Sequence, residues 1–463
     1  MTMNSAAGVQ LRAANPRLRA MLDAPIVPTL ASMSWSNMLM MLAQSSTGLI
    51  ETWFLAKLGT DVLAGVAVVV PVLMLMQMMS QGAMGGGISS AVARALGAGD
   101  TQMVGQLARH ALVLNVLIGC VLALALSFGA RPLLSWFGAN GAALDAACTY
   151  AHVLFAGVPL IWAMNALANV VRGTGNMLVP GIVLCVGALS IIPLSPCLIF
   201  GLGPFPELGI VGGAWALLTY YGVGTLVLGW YCMSGRCAAR LSWGPLHWLP
   251  MRNILVVGGL ACINTLLTNA LVALTTAQIG HHSGTAALAG YATAARLEYV
   301  LMPIAFGLGA PMVALVGVNI GAGQVERARR IAITGGCMAF VLAEIVGLAA
   351  AIWPEAWLGL FGSDAALLET GSLYLRIVGP FYGFFALGFS LYFASQGAGR
   401  LQWPILAMAG RLALFVGGGW VVLAAGASLT QYFAMGAVAM IFYGTCVLWS
   451  IARGDWGDGR RRI

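Results

Sequence analysis

Long apolar stretches separated by short polar segments run through almost the whole chain. A helix needs about 20 predominantly apolar residues to cross a hydrocarbon core about 30 Å thick. The pattern therefore predicts twelve transmembrane helices. They lie near residues 26–56, 61–93, 104–130, 146–171, 176–202, 208–233, 253–280, 285–318, 328–353, 366–394, 402–426 and 429–452.

Basic residues test this arrangement, because Lys and Arg concentrate on the cytoplasmic side of a membrane. With both termini in the cytoplasm, only Lys57 and Arg131 fall on the outer side, and Arg296, Arg376 and Arg411 lie within spans. Omitting one helix would invert every later loop, so the distribution supports twelve spans. The cytoplasmic set is Arg12, Arg17, Arg19, Arg94, Arg109, Arg172, Arg236, Arg240, Arg252, Arg327, Arg329, Arg330, Arg400, Arg453, Arg460, Arg461 and Arg462.

Composition agrees with a membrane protein, because 60% of the residues are hydrophobic and 8% are charged, against about 25% charged in soluble domains. The formal charge of +8 follows the predicted cytoplasmic loops, so it does not indicate a nucleic-acid partner. The nine cysteines mostly lie in apolar segments, which predicts neither a disulfide framework nor a metal site. No short apolar run with a cleavage site precedes the first span, which is expected to act as an uncleaved insertion signal.

The two halves of the chain repeat each other at a nearly constant offset, as in many transporters. Because each half has six predicted helices with matching cytoplasmic loops, the halves share an orientation and form two lobes related about an axis along the membrane normal. The cleft between such lobes is the expected substrate site. The matching segments are 59–65 with 284–290, 96–100 with 320–324, and 172–175 with 396–399.

The domain boundaries follow from this repeat. The glycine loops 97–99 and 321–323 do not match a phosphate-binding loop, because no strand precedes them and no Gly-Lys-Ser/Thr follows. They are predicted to be tight turns. The predicted parts are a cytoplasmic tail (1–25), an N-lobe (26–233), a cytoplasmic connector (234–252), a C-lobe (253–452) and a basic cytoplasmic tail (453–463).

A polar stripe lies in the first span, where Asn37, Gln44 and Glu51 recur at heptad spacing. That spacing drifts by only about 20° per heptad, so the three share one helix face. An acid at the centre of a spanning helix costs roughly 2.5 to 3.5 kcal/mol, and such groups usually face a bundle interior or an ion pathway. We interpret the stripe as a cavity wall and Glu51 as the cation- or proton-coupling group. The alternative is a hydrogen-bonded, structural Glu51.

Several short motifs occur in a fixed order along the two halves of the chain. The first-span acid is followed by Leu-Gly at 58–59 and Leu-Ala-Gly at 63–65, then by Leu-Gly-Ala-Gly-Asp at 96–100. Arg-Leu-Glu at 296–298, Val-Gly-Val-Asn-Ile-Gly-Ala-Gly at 316–323 and Ser-Gln-Gly-Ala-Gly at 395–399 follow in the second half. Over nearly the whole chain, this order resembles the multidrug and toxic compound extrusion (MATE) family. The resemblance implies two six-helix lobes that alternate between inward- and outward-open forms and export amphipathic, often cationic compounds in exchange for H⁺ or Na⁺.

The chain departs from that family's pattern at its ion-binding positions. Many relatives place an Asn and an Asp one helical turn apart in the fifth span, where this chain has Ile191 and Ser195. The seventh-span carboxylate of the sodium-using branch is also missing, and the first-span acid is Glu where Asp is more usual. These departures favour H⁺ over Na⁺ as the coupling ion. The polar residues of the seventh span are Asn264, Thr265, Thr268 and Asn269.

Further polar and aromatic residues are candidates for a substrate cavity. Flat aromatic cations stack well on aromatic faces, and Phe385, Phe389 and Tyr392 share one face of the tenth span. The competing interpretations are hydrogen bonding between helices for the asparagines and a lipid-facing or core position for the aromatic residues. The predicted cavity comprises Asn165, Asn169, Asn264, Thr268, Phe385, Phe389 and Tyr392.

The charged residues of the second half are predicted to form a buried charge network. Arg296 and Glu298 are too close in sequence to share a helix face, so each is expected to pair with a charge on another helix. The arginines would also suit an anionic headgroup. The network comprises Arg296, Glu298, Glu344, Arg376 and Arg411.

Together these observations predict an all-α secondary active transporter of the bacterial inner membrane, in which Glu51 couples H⁺ entry to the export of organic cations or amphipathic drugs. The protein is expected to be a monomer in the lipid bilayer, without cofactor or metal. Nothing in the sequence resembles a hydrolytic triad, so an enzyme is not expected. The alternative is a flippase for a lipid-linked or anionic amphiphile of the same superfamily.

Overall fold

The structure, a computed structural model, describes residues 15–241, 244–362, 364–454 and 456, without the side chains of residues 40, 42–49 and 300. Most of the predicted N-terminal tail, two connector residues and most of the basic C-terminal tail therefore lie outside the described residues. Every regular element in the described ranges is a helix. This agrees with the all-α prediction.

Twelve long helices follow one another in the described chain. The segment Trp248–Gly321 contains two of them, because Gly284 has non-helical angles of φ 77° and ψ −177°. Two short helices, Pro16–Asp23 and Pro354–Leu358, precede the first and tenth long helices. The long helices are α1 (Ile26–Ala56), α2 (Thr60–Gly97), α3 (Thr101–Trp136), α4 (Gly141–Ala156 with Val158–Gly173), α5 (Leu178–Phe200), α6 (Ile210–Met233), α7 (248–283), α8 (285–321), α9 (Val325–Ile352), α10 (Ala365–Ala398), α11 (Gln402–Ala424) and α12 (Leu429–Ala452).

Length and composition identify these helices as membrane spans. Within the described residues, nine helices are long and apolar enough to cross a membrane, and the pair forming α4, bent by 46°, makes ten. The segment Trp248–Gly321 counts once in that number but contains two helices, and α1, with 31 residues, is a further long helix at a predicted span. Each of the twelve predicted spans thus corresponds to a helix.

The chain packs into two compact units. The first contains residues 39–258, and the second contains residues 19–38 with the described part of 259–463. Helix α1 therefore contributes its residues up to Met38 to the second unit and the remainder to the first. The predicted lobes differ in this respect, because they assigned all of α1 to the N-lobe.

The internal repeat appears in the contacts within each unit. A Cβ added to Gly65 of α2 would lie 2.7 Å from the Ala143 carbonyl oxygen, and one added to Gly290 of α8 would lie 2.7 Å from the Leu367 carbonyl oxygen. Both glycines end matching segments of the repeat, and both carbonyls belong to the helix pair that the repeat predicts. Glycine is needed at both positions, since each brings two helix backbones together. The repeated sequence therefore encodes repeated packing.

Several spans are interrupted, and side chains satisfy the backbone groups that the interruptions release, as a membrane interior requires. Helix α10 has a 3₁₀ turn at Gly379–Phe381, and the Glu344 carboxylate accepts a hydrogen bond from the Gly383 N–H at 2.8 Å. Helix α11 contains a π-helical segment, Ala413–Gly418, and Gln278 of α7 donates to the Val416 carbonyl at 2.9 Å. Helix α2 contains a second π-helical segment, Met78–Met84.

Candidate functional site

Glu51 is buried in the first unit, with 5% of its surface exposed. The Tyr150 hydroxyl of α4 donates a hydrogen bond of 2.8 Å to Glu51 Oε1. A Cβ on Gly213 of α6 would lie 3.4 Å from the same oxygen, so the carboxyl packs directly against that helix backbone. Glu51 is therefore an interior group held by a single phenol among the described residues.

Two of the three residues of the predicted polar stripe have described side chains, and these two contact different helices. Asn37 is buried in the second unit, where its Nδ2 donates to the Phe306 carbonyl at 3.0 Å. Glu51 contacts Tyr150 in the first unit, and the side chain of Gln44 lies outside the described residues. Asn37 and Glu51 thus have partners on different helices, and one continuous cavity wall stays a prediction. A heptad spacing fixes a helix face, but two heptads span about 21 Å, a length over which the neighbouring helices change.

A chain of buried and half-buried polar groups connects α2, α4 and α6 in the first unit. Gln77 Nε2 donates to the Tyr221 hydroxyl, and Asn165 Nδ2 donates to Gln77 Oε1 at 3.2 Å and to Ser80 Oγ at 2.6 Å. Ser80 lies in the π-helical segment of α2. Such segments are frequent at functional sites, because they redirect side chains within a helix.

Asn169 extends this polar chain toward the end of α4. Its Nδ2 donates to the Asn165 carbonyl at 2.8 Å, and Ser89 Oγ donates to the Asn169 carbonyl at 2.7 Å. Asn165 and Asn169 are thus brought together as predicted, and their bonds join helices. Sequence reasoning missed Gln77, Ser80, Tyr150 and Tyr221. Their polarity within apolar spans was the available signal, but isolated hydroxyls and amides are common in such helices.

Glu298 of α8 is the corresponding acid of the second unit. The Tyr374 hydroxyl donates to Glu298 Oε1. Tyr374 occupies the position of the second repeat that corresponds to Tyr150 in the first, so equivalent tyrosines hold a glutamate in each unit. The two acids come from different helices of the repeat, α1 and α8.

The predicted buried charge network is not one cluster. Arg296 is exposed, with its guanidinium 5.6 Å from the Phe361 ring centre. Arg376 has 60% of its side chain exposed and pairs with Glu355 at 3.2 Å. Glu344 bonds to the Gly383 backbone as described above. The prediction of burial is therefore wrong for both arginines, because the hydropathy of a span does not show which face it turns toward its neighbours.

Arg411 of α11 is the arginine of that set that lies in the interior, with 3% exposure. Its guanidinium carbon lies 4.8 Å from the Phe385 ring centre and 5.8 Å from that of Tyr443. Phe385 stacks on Phe389 at 5.7 Å, and Phe389 stacks on Tyr392 at 6.0 Å. The predicted aromatic face of α10 is thus a continuous row of buried rings beside a buried cation.

The residues at the family's ion-binding positions offer few oxygens. Ile191 is fully buried, and the buried Ser195 Oγ has no hydrogen-bond partner among the described residues. In α7, Thr268 donates to the Asn264 carbonyl at 2.9 Å, and Asn264 Oδ1 is likewise buried without a described partner. No group of three His, Cys, Asp or Glu side chains gathers anywhere in the described ranges.

Comparison with known proteins identifies relatives of both halves. The family model MatE matches residues 37–197 and 261–421, one segment in each half at the spacing of the internal repeat. A protein named FAD transporter from Shewanella oneidensis is 28% identical over 81% of this chain and 82% of its own length. A probable multidrug resistance protein NorM from Thermotoga maritima is 28% identical over 78% and 77% of the two chains.

Solved structures share the fold. A MOP-superfamily transporter from Pyrococcus furiosus superposes with a TM-score of 0.85 at 21% identity, covering 95% of this chain and 98% of its own. An outward-facing multidrug resistance MATE family transporter superposes with a TM-score of 0.83 at 21% identity, covering 96% and 98%. The predicted fold, twelve transmembrane helices in two six-helix lobes, is confirmed.

Proposed function

Because the chain belongs to the MatE family of membrane transporters, we propose that it exports amphipathic organic cations in exchange for H⁺, by alternating access between two lobes. The names of its relatives in Thermotoga maritima and Bacillus subtilis, both probable multidrug resistance proteins, support this substrate class. Members of the family are transporters and not enzymes. We place the protein in the bacterial inner membrane as a monomer, with both termini in the cytoplasm and without a cofactor.

The observation that carries this proposal is the burial of Glu51 beside Tyr150. The other acids of the first unit, Asp61, Asp100, Asp145 and Glu207, are exposed. An ionised carboxylate is expensive away from water, so the carboxyl is protonated when the site is sealed. An arriving organic cation stabilises the ionised form. Proton and substrate therefore compete for the same group, and this competition is the basis of antiport.

The coupling has a definite energetic limit. One proton crossing about 100 mV supplies about 2.3 kcal/mol, which sustains at most about a fiftyfold gradient of a neutral substrate at about 1.4 kcal/mol per decade. A monovalent cation exchanged for one proton moves no net charge. Export of such a cation is then driven by the pH difference alone.

Proton movement in everted membrane vesicles tests the proposal. On addition of a fluorescent organic cation, the unmodified protein should release protons from acidified vesicles at the same rate with and without Na⁺. Glu51→Gln should abolish this response, whereas Glu207→Gln, which alters an exposed acid of the same unit, should retain it. Exchange that survives in Glu51→Gln, or that requires Na⁺, contradicts the proposal.

A second candidate function is the export of an anionic amphiphile. It is favoured by the buried Arg411 and by the Shewanella oneidensis relative named FAD transporter. A lipid-linked substrate of the same charge, moved by flipping, belongs to this alternative. Uptake of FAD into everted vesicles, with no response to organic cations, would make it the better assignment. Uptake of organic cations without FAD would exclude it.

A further inference from the structure

Arg411 places a positive charge in the interior of the second unit, where no described acid forms an ion pair with it. Its side chain is 3% exposed, and a guanidinium remains protonated in proteins. Its guanidinium lies over the rings of Phe385 and Tyr443, and its Nε has no hydrogen-bond acceptor among the described residues. Burial of an unpaired charge is unfavourable. A partner is therefore expected in some state of the transporter.

The Tyr443 hydroxyl beside Arg411 is a second donor without an acceptor. Tyr443 is 1% exposed, and its oxygen has no hydrogen-bond partner in the described part of the chain. Glu298 interacts with Arg411 through space, but its carboxylate accepts from Tyr374 and is too far from the guanidinium for an ion pair. A guanidinium and a phenol side by side are complementary to the oxygens of a carboxylate or phosphate.

The local backbone is shaped to present this pair of donors. A Cβ on Gly388 of α10 would lie 2.5 Å from the Tyr443 ring, so glycine makes room for the ring at that position. The π-helical segment Ala413–Gly418 begins just after Arg411. Helical π segments are frequent at functional sites, and the π segment of α2 adjoins the polar chain around Asn165.

The aromatic row extends away from the charged pair. Phe385, which lies under the guanidinium, is followed by Phe389 and Tyr392 with interplanar angles of 24° and 21°. Parallel rings present faces and edges that suit a planar aromatic group. A ligand that bonds to Arg411 and Tyr443 and packs on the aromatic row carries an acidic group and an aromatic ring system.

We propose that Arg411 and Tyr443 form a subsite for the phosphate or carboxylate of a planar aromatic substrate, whose rings pack on Phe385, Phe389 and Tyr392. This inference rests on the proposed transport function for its physiological role, but it concerns binding and not proton coupling. It deepens the second candidate function by naming the side chains that bind the anion and its rings. A soluble substrate and a lipid headgroup can both supply such an oxyanion, and the test distinguishes them.

The test compares two probes that share a ring system and differ in charge, riboflavin and riboflavin 5′-phosphate. The full-length protein is reconstituted in phosphatidylcholine discs, and binding is measured by flavin fluorescence at equilibrium. The phosphate should bind about tenfold more tightly than riboflavin, as expected for charge-assisted hydrogen bonds. Arg411→Gln should remove this preference, and Tyr443→Phe should reduce it about threefold. Arg400→Gln, an exposed arginine between α10 and α11, should retain it.

Equal affinity for the two flavins in the unmodified protein, or an unchanged preference in Arg411→Gln, would overturn the inference. If Arg411→Gln does not fold, the test relies on Tyr443→Phe. An unchanged preference for the flavin phosphate in that variant would also overturn the inference. Loss of flavin phosphate binding in discs containing phosphatidylglycerol would assign the donors to a lipid headgroup instead. Because no gradient is applied, this binding measurement does not depend on proton coupling. A failure of proton coupling is thereby distinguished from a failure of this subsite.

Discussion

At the residue scale, a tyrosine at the same position of the repeat holds an acid in each unit. The hydroxyls of Tyr150 and Tyr374 donate to Glu51 and Glu298. Those acids come from α1 and α8, which are not equivalent helices of the repeat. The tyrosines follow the repeat, whereas the acids do not. This asymmetry permits the two units to have different roles, with proton coupling proposed for the first.

Removal of one phenol oxygen tests this asymmetry. A hydrogen bond to a charged group contributes about 1.5–3 kcal/mol, so Tyr150→Phe should disfavour the ionised Glu51 and slow cation-driven proton release about tenfold or more. Tyr374→Phe should leave that rate within about twofold of the unmodified protein. Both are read from the vesicle proton assay. A larger effect of Tyr374→Phe would transfer coupling to Glu298.

At the element scale, the spans are shaped by glycines at crossings and by interruptions near polar groups. The contact of Gly65 with α4 is so close that a Cβ would also lie 2.8 Å from the Ala147 nitrogen. By contrast, Gly129 of α3 has no atom within 4 Å of an added Cβ. Helix packing therefore requires glycine at Gly65 but not at Gly129.

These two glycines form a matched pair for a stability measurement. Gly65→Ala should lower the free energy of unfolding by about 1–3 kcal/mol, because the backbones of α2 and α4 must separate. Gly129→Ala should be neutral or stabilising by up to about 1 kcal/mol, since Ala favours helix over Gly. The thermal unfolding of purified protein in detergent reports both. Similar melting temperatures for the two variants would show that the backbones of α2 and α4 can move apart at Gly65 without loss of stability.

At the scale of the whole molecule, the two halves repeat the same family pattern and the same helix crossings. The family model matches each half once, and the turns at Gly99 and Gly323 have φ of 78° in both. These left-handed turns, predicted from the glycine loops, close α2 and α8 in the same way. Parallel copies require the two turns to lie on the same side of the membrane.

Accessibility of two helix N-caps tests the membrane orientation. Asp100 precedes α3 and Asn140 precedes α4, and both are exposed. A membrane-impermeant maleimide should label Asn140→Cys in intact cells, whereas Asp100→Cys should be labelled in everted vesicles only. The native cysteines provide the background in the unmodified protein. Labelling of Asp100→Cys in intact cells would invert the predicted topology.

The sequence by itself determined the number of spans, their approximate limits, the repeat and the presence of an acid within the first span at position 51. Those features depend on hydropathy and spacing, which are local properties of the chain. Only the tertiary structure showed that Asn37 and Glu51 have different surroundings, that Arg296 and Arg376 are exposed, and that Arg411 is buried. In lipid both faces of a helix are apolar, so the sequence cannot indicate which residues meet another helix. Partners such as Tyr150 and Tyr443 lie on other helices and are selected by packing alone.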